Sequence, residues 1–340
     1  MVGSRTILCG LVISTLLLAT EAHAAPLANL YDRAAQASVE VLVDGHLDGS
    51  GVIISSDGLV LTAAHLIGPD HALEVRSPTI GRRTVHLLAA DPAHDLALLQ
   101  LPTRRRPYPR LGLGRVIPPP GADVYLFASP LYRHAVMLRG TPARTRPTYE
   151  YHPDRGHYLR VLHLSGPSPA GTSGGPWLDE KGRVIGVQAG LVHDGEAPVG
   201  IAYMAPLGAI KRLVRRRRPA PVATLRAGFE ELWEQAPALR ALFPPGAEGV
   251  LPVRIFPGGP ADHAGLRQTD LITAVGGHDI RLRDELLDHL RVHPPNRPLE
   301  LTIYRPDVGR LAVRTIPREL TRNLDAPTRV VAYKSGKTLP

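Results

Sequence analysis

Cysteine is all but missing from this chain: among 340 residues there is one, Cys9. It lies in an apolar N-terminal segment and follows Leu8 rather than a small residue, which argues against a lipid-modified terminus. Disulfides therefore cannot stabilise the fold, and thiol chemistry is excluded. Aromatic residues are scarce at 5%, so Leu, Val, Ile and Ala must build the cores. Lysine is limited to Lys181, Lys211, Lys334 and Lys337, and the net charge of +9 rests on arginine. The densest run, Arg215–Arg218, has no interleaved aromatics and no nucleic-acid-binding module around it. A solvated hinge explains it better than a nucleic-acid contact. Past the N-terminus no apolar stretch reaches the ~18 residues of a transmembrane helix. The 15 histidines show neither an HExxH pattern nor paired Cys/His spacing, so no metal or other cofactor is expected. Gly336-Lys337-Thr338 imitates the end of a phosphate-binding loop, but Val331 stands where its first glycine belongs.

Glycine and proline are abundant, at 33 and 34 residues. So much punctuation disfavours helical bundles and favours short strands joined by turns. Ahead of the strands, Arg5, the apolar run Ile7–Ala19 and Ala22-His23-Ala24 read as an export signal over residues 1–24. The product is expected to be exported, periplasmic or secreted, with an uncleaved anchor as the alternative. Strands are expected at Ser38–Val43, Ser50–Ser55, Leu59–Ala63, Ala72–Arg76, Val85–Ala89, Leu96–Leu101, Asp123–Ala128, Leu159–Leu164 and Arg183–Ala189. Their frequency, without helices between them, indicates an antiparallel barrel or sandwich. In this half, helical periodicity is expected only over Ala205–Val214, ending in the arginine run and Pro219-Ala220-Pro221. A boundary falls there. The second unit mixes strands (Gly249–Phe256, Asp270–Val275, Leu299–Tyr304, Leu311–Ile316) with helices at Pro260–Ala264 and Asp284–Val292.

Three motifs of the first unit each offer one member of a nucleophilic triad. Gly171-Thr172-Ser173-Gly174-Gly175-Pro176 contains the candidate nucleophile Ser173 in a tight turn. The N–H groups of Gly171 and Ser173 can converge there on an oxyanion. Leu61-Thr62-Ala63-Ala64-His65 ends a strand on a candidate base, His65, and Asp95 opens Asp95-Leu96-Ala97-Leu98-Leu99. Asp95 lies 30 residues after His65, and Ser173 lies 78 after Asp95. The order His, Asp, Ser is that of chymotrypsin and not of α/β-hydrolases. One motif alone is weak; three together point to acyl transfer.

Gly49–Ser56, Leu61–His65, Asp91–Leu99, Gly171–Pro176 and Gly200–Pro206, with Glu248–Val250, Phe256–Leu266 and Thr269–Gly277 in the second unit, resemble the HtrA family of exported serine proteases. The resemblance implies a mainly β fold, a chymotrypsin-like double β-barrel of six strands each followed by a small α/β PDZ domain. It places a peptidase domain over 25–214, a linker over 215–221, a PDZ domain over 222–316 and a tail over 317–340. It also implies His65, Asp95 and Ser173 as catalytic residues, with an oxyanion hole from Gly171 and Ser173. The PDZ peptide site would use Arg226-Ala227-Gly228-Phe229 with Leu286, His289 and Leu290 of the following helix. Arg226 and Thr172 depart from the family's usual apolar residue and Asn. The implied partners are unfolded or misfolded polypeptides and C-terminal peptides, with a homotrimer as an assembly to test.

The primary pocket of such a barrel is floored about six residues before the nucleophile, at Pro167, and walled by Val187, Gln188, Ala189, Gly200, Ile201 and Ala202. No carboxylate lies between Ser165 and Thr172. Cleavage after small or aliphatic residues is expected, rather than after Lys or Arg. Trp177 is expected to pack between the barrels or to narrow the cleft. Because the triad lies wholly upstream of Arg215, the peptidase unit is expected to act on short peptides by itself. Two other readings stay open: an inactive or weak protease fold serving as a peptide-binding scaffold or chaperone, and an esterase, against which a PDZ module argues.

Overall fold

Valine- and leucine-rich segments, several of them buried on both faces, roll into two antiparallel sheets in the computed structural model. It describes residues 27–68, 70–152, 156–194 and 197–321. The export signal and most of the tail lie outside these residues. In spatial order the first sheet runs Gly81–Thr84, Leu73–Ser77, Ser38–Val43, His46–Ile53, Leu59–Ala63, Leu96–Gln100, His86–Asp91. The second runs Thr148–His152, His157–Ser165, Ala197–Pro206, Val184–Asp194, Pro176–Leu178, Val124–Ala128, Val136–Pro142. Leu164 opposite Pro142 and Ser165 opposite Thr141 close the second sheet on itself. Each sheet has seven strands, one more than the implied six. Gly81–Thr84, exposed throughout, extends the first edge, and Thr148–His152 extends the second.

Three clusters fill this half. Val39, Val41, Ile53, Val60, Val75 and Leu99 occupy the first barrel. Trp177, Leu126, Leu162, Leu164 and Met204 occupy the second, so Trp177 sits inside one barrel and not between the two. The seam between barrels holds Leu61, Leu98, Phe127, Leu178 and Val187. Two helices seal it. Residues 27–37 form a helix that the expected strand pattern omitted. Its buried face is Leu30, Ala34 and Ala37, and alanine contributes too little hydrophobic contrast to show a period. The second, Leu207–Arg216, buries Leu207, Ala209, Ile210 and Leu213. It extends two residues into the arginine run, where cations oppose the negative end of the helix dipole. Arg217 terminates it in a left-handed conformation.

The second unit is a five-strand path, Ala227–Glu231, Val250–Ile255, Leu271–Val275, Leu299–Arg305, Gly309–Thr315, with His278–Asp279 paired to the third strand. The helix Arg283–Val292 lies across it and buries Leu286, Leu287 and Leu290. Residues expected to begin a tail are ordered: Arg318–Glu319 pairs with Ala223–Thr224, and the Leu320 N–H donates to the Val222 carbonyl at 2.7 Å. Glu230 and Glu231 complete the strand Ala227–Glu231, and Leu232–Glu234 is a single 3₁₀ turn. Among the described residues no helix is long and apolar enough to cross a membrane.

Candidate active site

His65 sits in a 3₁₀ turn, Ala64–Leu66, that ends the strand Leu59–Ala63. The Asp95 carboxylate grips this turn twice, accepting from the His65 N–H at 2.8 Å and lying 2.5 Å from Nδ1. The Ala64 N–H donates to the Asp95 carbonyl at 3.0 Å. Asp95 is 2% exposed and His65 18%, so the imidazole is the open end of the pair. A carboxylate can only accept, which commits Nδ1 as donor and leaves Nε2 free to take a proton.

The nucleophile loop is pressed onto that strand and its neighbour His46–Ile53. The Ser173 carbonyl accepts from the Ser50 N–H at 2.8 Å. Gly174, at φ +81°, leaves no room for a side chain: a Cβ would stand 2.1 Å from the Ser50 carbonyl oxygen and 2.2 Å from Thr62 Oγ1. This contact brings Ser173 beside the His65 turn. Gly171 holds a left-handed φ of +88° against the Ser129 carbonyl. Among the described residues neither the Gly171 nor the Ser173 N–H donates to a protein acceptor.

Two residues outside the three triad motifs brace this loop. The Ser50 hydroxyl donates to the Gly171 carbonyl at 2.9 Å and accepts from the Ser129 N–H at 3.0 Å. Gln188 was expected in the pocket wall, but its amide is fully buried. Its oxygen accepts from Trp177 Nε1 at 2.7 Å, and its nitrogen donates to Ser168 Oγ and the Gly190 carbonyl. Its backbone bonds both Gly174 and Gly175 at 2.8 Å. Gln188 holds the loop and offers no free group to a bound side chain.

Of the other expected pocket residues, Val187 and Ala202 are buried and Ala189 nearly so, while Pro167, Gly200 and Ile201 have open surface. The last three lie on two neighbouring segments, joined where the Gly166 N–H donates to the Gly200 carbonyl at 3.2 Å. Tyr203, overlooked in the sequence, lies against Gly190 so closely that any Cβ there would collide with its ring. Burial pushes its hydroxyl above the usual phenol range.

The peptide-binding residues of the second unit meet a different fate. Ala227–Glu231 is an edge strand, yet its free edge is taken. Tyr158 of the first unit donates its hydroxyl to the Phe229 carbonyl at 2.9 Å and accepts from the Phe229 N–H at 2.6 Å. Tyr151 covers Gly228. Tyr149 donates to Asp288 at 2.6 Å and Thr148 to Asp284 at 2.7 Å, both on the helix opposite. The groove is filled by the chain's own hairpin. Leu287, not Leu286, joins Leu290 and Phe229 at this wall, because Leu286 points into the core. His289 stacks on His278 at 4.9 Å, away from the groove. Arg226 lies over the Phe256 ring at 5.6 Å.

Beside Asp95, buried His94 has Nδ1 2.7 Å from Asp91 Oδ2, and Arg291 and Arg212 face its Nε2. Burial holds its pKa below the usual 6.5; both arginines add to this and Asp91 opposes it. As pH falls, the unfolded chain therefore takes up this proton first. The resulting stability is whole above pH 6.5 and declines below it. Tm is expected to drop between about pH 7.5 and 5.5, and less so in His94→Gln; equal drops would dismiss this assignment.

Comparison with known proteins agrees with this fold. Residues 49–187 match the trypsin-like peptidase domain family and residues 233–313 the PDZ domain family. The chain is 25% identical over 289 residues to "Serine protease HTRA1" of Xenopus tropicalis, covering 80% of this chain and 60% of that protein. It is 26% identical over 280 residues to the "Probable periplasmic serine endoprotease DegP-like" of Ectopseudomonas mendocina, covering 80% and 57%. The chain thus spans somewhat more than half the length of these curated relatives. The solved "HtrA-type protease AlgW with decapeptide" superposes with a TM-score of 0.62 at 16% identity, over 87% of this chain and 99% of that one. The serine endoprotease from Yersinia pestis does so with a TM-score of 0.58 at 22% identity, over 86% and 98%. At these identities the likeness speaks for the fold.

Proposed function

Since the chain joins a trypsin-like peptidase domain to a PDZ domain and is similar to proteins named as HTRA1 and DegP-like serine proteases, we propose that it is an exported serine endopeptidase acting on unfolded or misfolded proteins. The observation that carries this reading is the Asp95–His65 pair with the Ser173 loop held against the same strand. Ser173 Oγ attacks the scissile carbonyl while His65 Nε2 removes its proton. The imidazolium so formed is stabilised by Asp95, and the oxyanion is received by the Gly171 and Ser173 N–H groups. His65 then returns the proton to the leaving amine, and water releases the acyl group by the same steps. Cleavage after small aliphatic side chains is part of the proposal, supported by the small and apolar character of Pro167, Gly200 and Ile201. The test is labelling by a fluorophosphonate, with the modified residue located by mass spectrometry; modification at Ser173 is expected, and an unlabelled chain would defeat the proposal.

One observation favours a weaker enzyme used as a scaffold: among the described residues no hydrogen bond joins Ser173 Oγ to His65. Catalytic hydrogen bonds often tighten only around substrate, and we place the active reading first.

The PDZ unit is proposed to bind C-terminal or extended apolar peptides along Ala227–Glu231, in competition with Tyr158. Tyr158→Phe removes the hydroxyl that satisfies both Phe229 backbone groups while keeping the ring. Affinity for a labelled apolar C-terminal decapeptide, read by fluorescence anisotropy, should rise about tenfold, because the open groove becomes more populated. Unchanged affinity would place the peptide site elsewhere.

A further inference from the structure

The turn that presents Asp95 is held from the PDZ unit. Residues 91–95 form a tight turn in which Asp91 Oδ1 accepts from the Ala93 N–H at 3.1 Å and the Asp91 carbonyl accepts from the His94 N–H at 3.2 Å. It delivers Asp95 at φ +54°, a left-handed conformation that a non-glycine residue keeps only when its surroundings impose it. One part of those surroundings is Arg291 of the helix Arg283–Val292. Its Nη2 stands 2.6 Å from His94 Nε2 and 3.5 Å from the Ala93 carbonyl.

The protonation pattern is consistent throughout. Asp91 can only accept, so His94 Nδ1 carries the hydrogen and Nε2 has a lone pair; a guanidinium has only donors and fits that lone pair. Among the described residues no carboxylate lies within salt-bridge distance of Arg291. Arg291 is half-buried with its guanidinium 5.8 Å from the Tyr149 ring centre, and its hydrogen-bond acceptors are the His94 ring and the Ala93 carbonyl. By contrast Arg305, within the PDZ unit, forms a two-pronged pair with Asp270 at 2.6 and 2.7 Å.

We propose that Arg291 is a positioning residue for the triad: through His94 it fixes the 91–95 turn and so keeps the Asp95 carboxylate on His65. The full catalytic rate then needs the PDZ helix in place, even on peptides too short to reach the PDZ groove. This rests on the peptidase reading above. It also replaces the expectation that the unit before Arg215 is self-sufficient.

The experiment uses the full chain, a short chromogenic peptide, and diisopropyl fluorophosphate as a probe of nucleophile activation. Arg291→Met should lower both kcat and the phosphonylation rate about ten- to a hundredfold, with KM within about twofold of wild type. Arg291→Lys, which still donates to Nε2, should recover part of the loss. Arg305→Met loosens the PDZ unit without touching the turn and should leave kcat unchanged. Unaltered kcat in Arg291→Met, or an equal fall in Arg305→Met, would overturn the proposal. The 15N shifts of His94 in the wild-type chain give a reading that needs no variant: Nδ1 protonated and Nε2 bare is expected, and the reverse tautomer is incompatible with it. A wild-type chain that resists phosphonylation yet shows the expected tautomer would point instead to failure of the peptidase reading.

Discussion

Ser173→Ala should abolish proteolysis of an unfolded protein such as casein while leaving the fold and peptide binding by the second unit unchanged. The serine hydroxyl is the only group offered as nucleophile by the site, and no second Ser-Gly-Gly motif exists to replace it. Triad deletions cost on the order of 10⁶ in turnover, leaving the smaller contribution of oxyanion stabilisation and binding. Alanine removes one oxygen and adds nothing, so Tm should stay within a degree or two. Stopped-time assays at high enzyme concentration are sensitive enough, and more than about a tenth of wild-type activity would defeat the assignment of Ser173.

Gly174→Ala should be nearly as damaging by a different route. The new Cβ meets the Ser50 carbonyl oxygen, Thr62 Oγ1 and, at 2.9 Å, the Ala63 nitrogen. Two of the three are backbone atoms of paired strands and cannot turn aside. The positive φ adds strain of about 1–3 kcal/mol, and overpacking a further amount of the same order. The loop must therefore lift from the strand that carries His65, separating nucleophile from base. A displacement of about 1 Å is enough for a hundredfold loss. Activity within tenfold of wild type, together with an unchanged unfolding midpoint, would show that the contact is not what aligns the site.

The legibility of this molecule varied with the kind of information each residue carries. Ser38–Val43 and Leu59–Ala63 announce themselves because their apolar residues are dense and their turns are marked by glycine. His65, Asp95 and Ser173 were visible as motifs since tight turns and strand ends need particular small neighbours. Val136–Pro142 escaped notice because most of its residues are half-buried and no alternation survives. Residues 27–37 escaped because alanine supplies the packing without the contrast. In Arg283–Val292, adjacent leucines leave the facing of the helix ambiguous by a full 100° step, and only the packed structure separates Leu287 from Leu286. The docking of Tyr149 and Tyr158 onto the second unit was unreadable for a more general reason. A tyrosine that binds a distant edge strand is chemically the same as one lying on a barrel surface.

The pairing of Ala223–Thr224 with Arg318–Glu319 has a mechanical consequence. Val222 and Leu320 are neighbours at one end of that ribbon, so the chain enters and leaves the second unit through a single gate. Tension between the first unit and the carboxyl end loads the ribbon's bonds in succession rather than together. Such a zipper parts at low force. A pull on the end of the chain would thus open the gate before it disturbed either barrel.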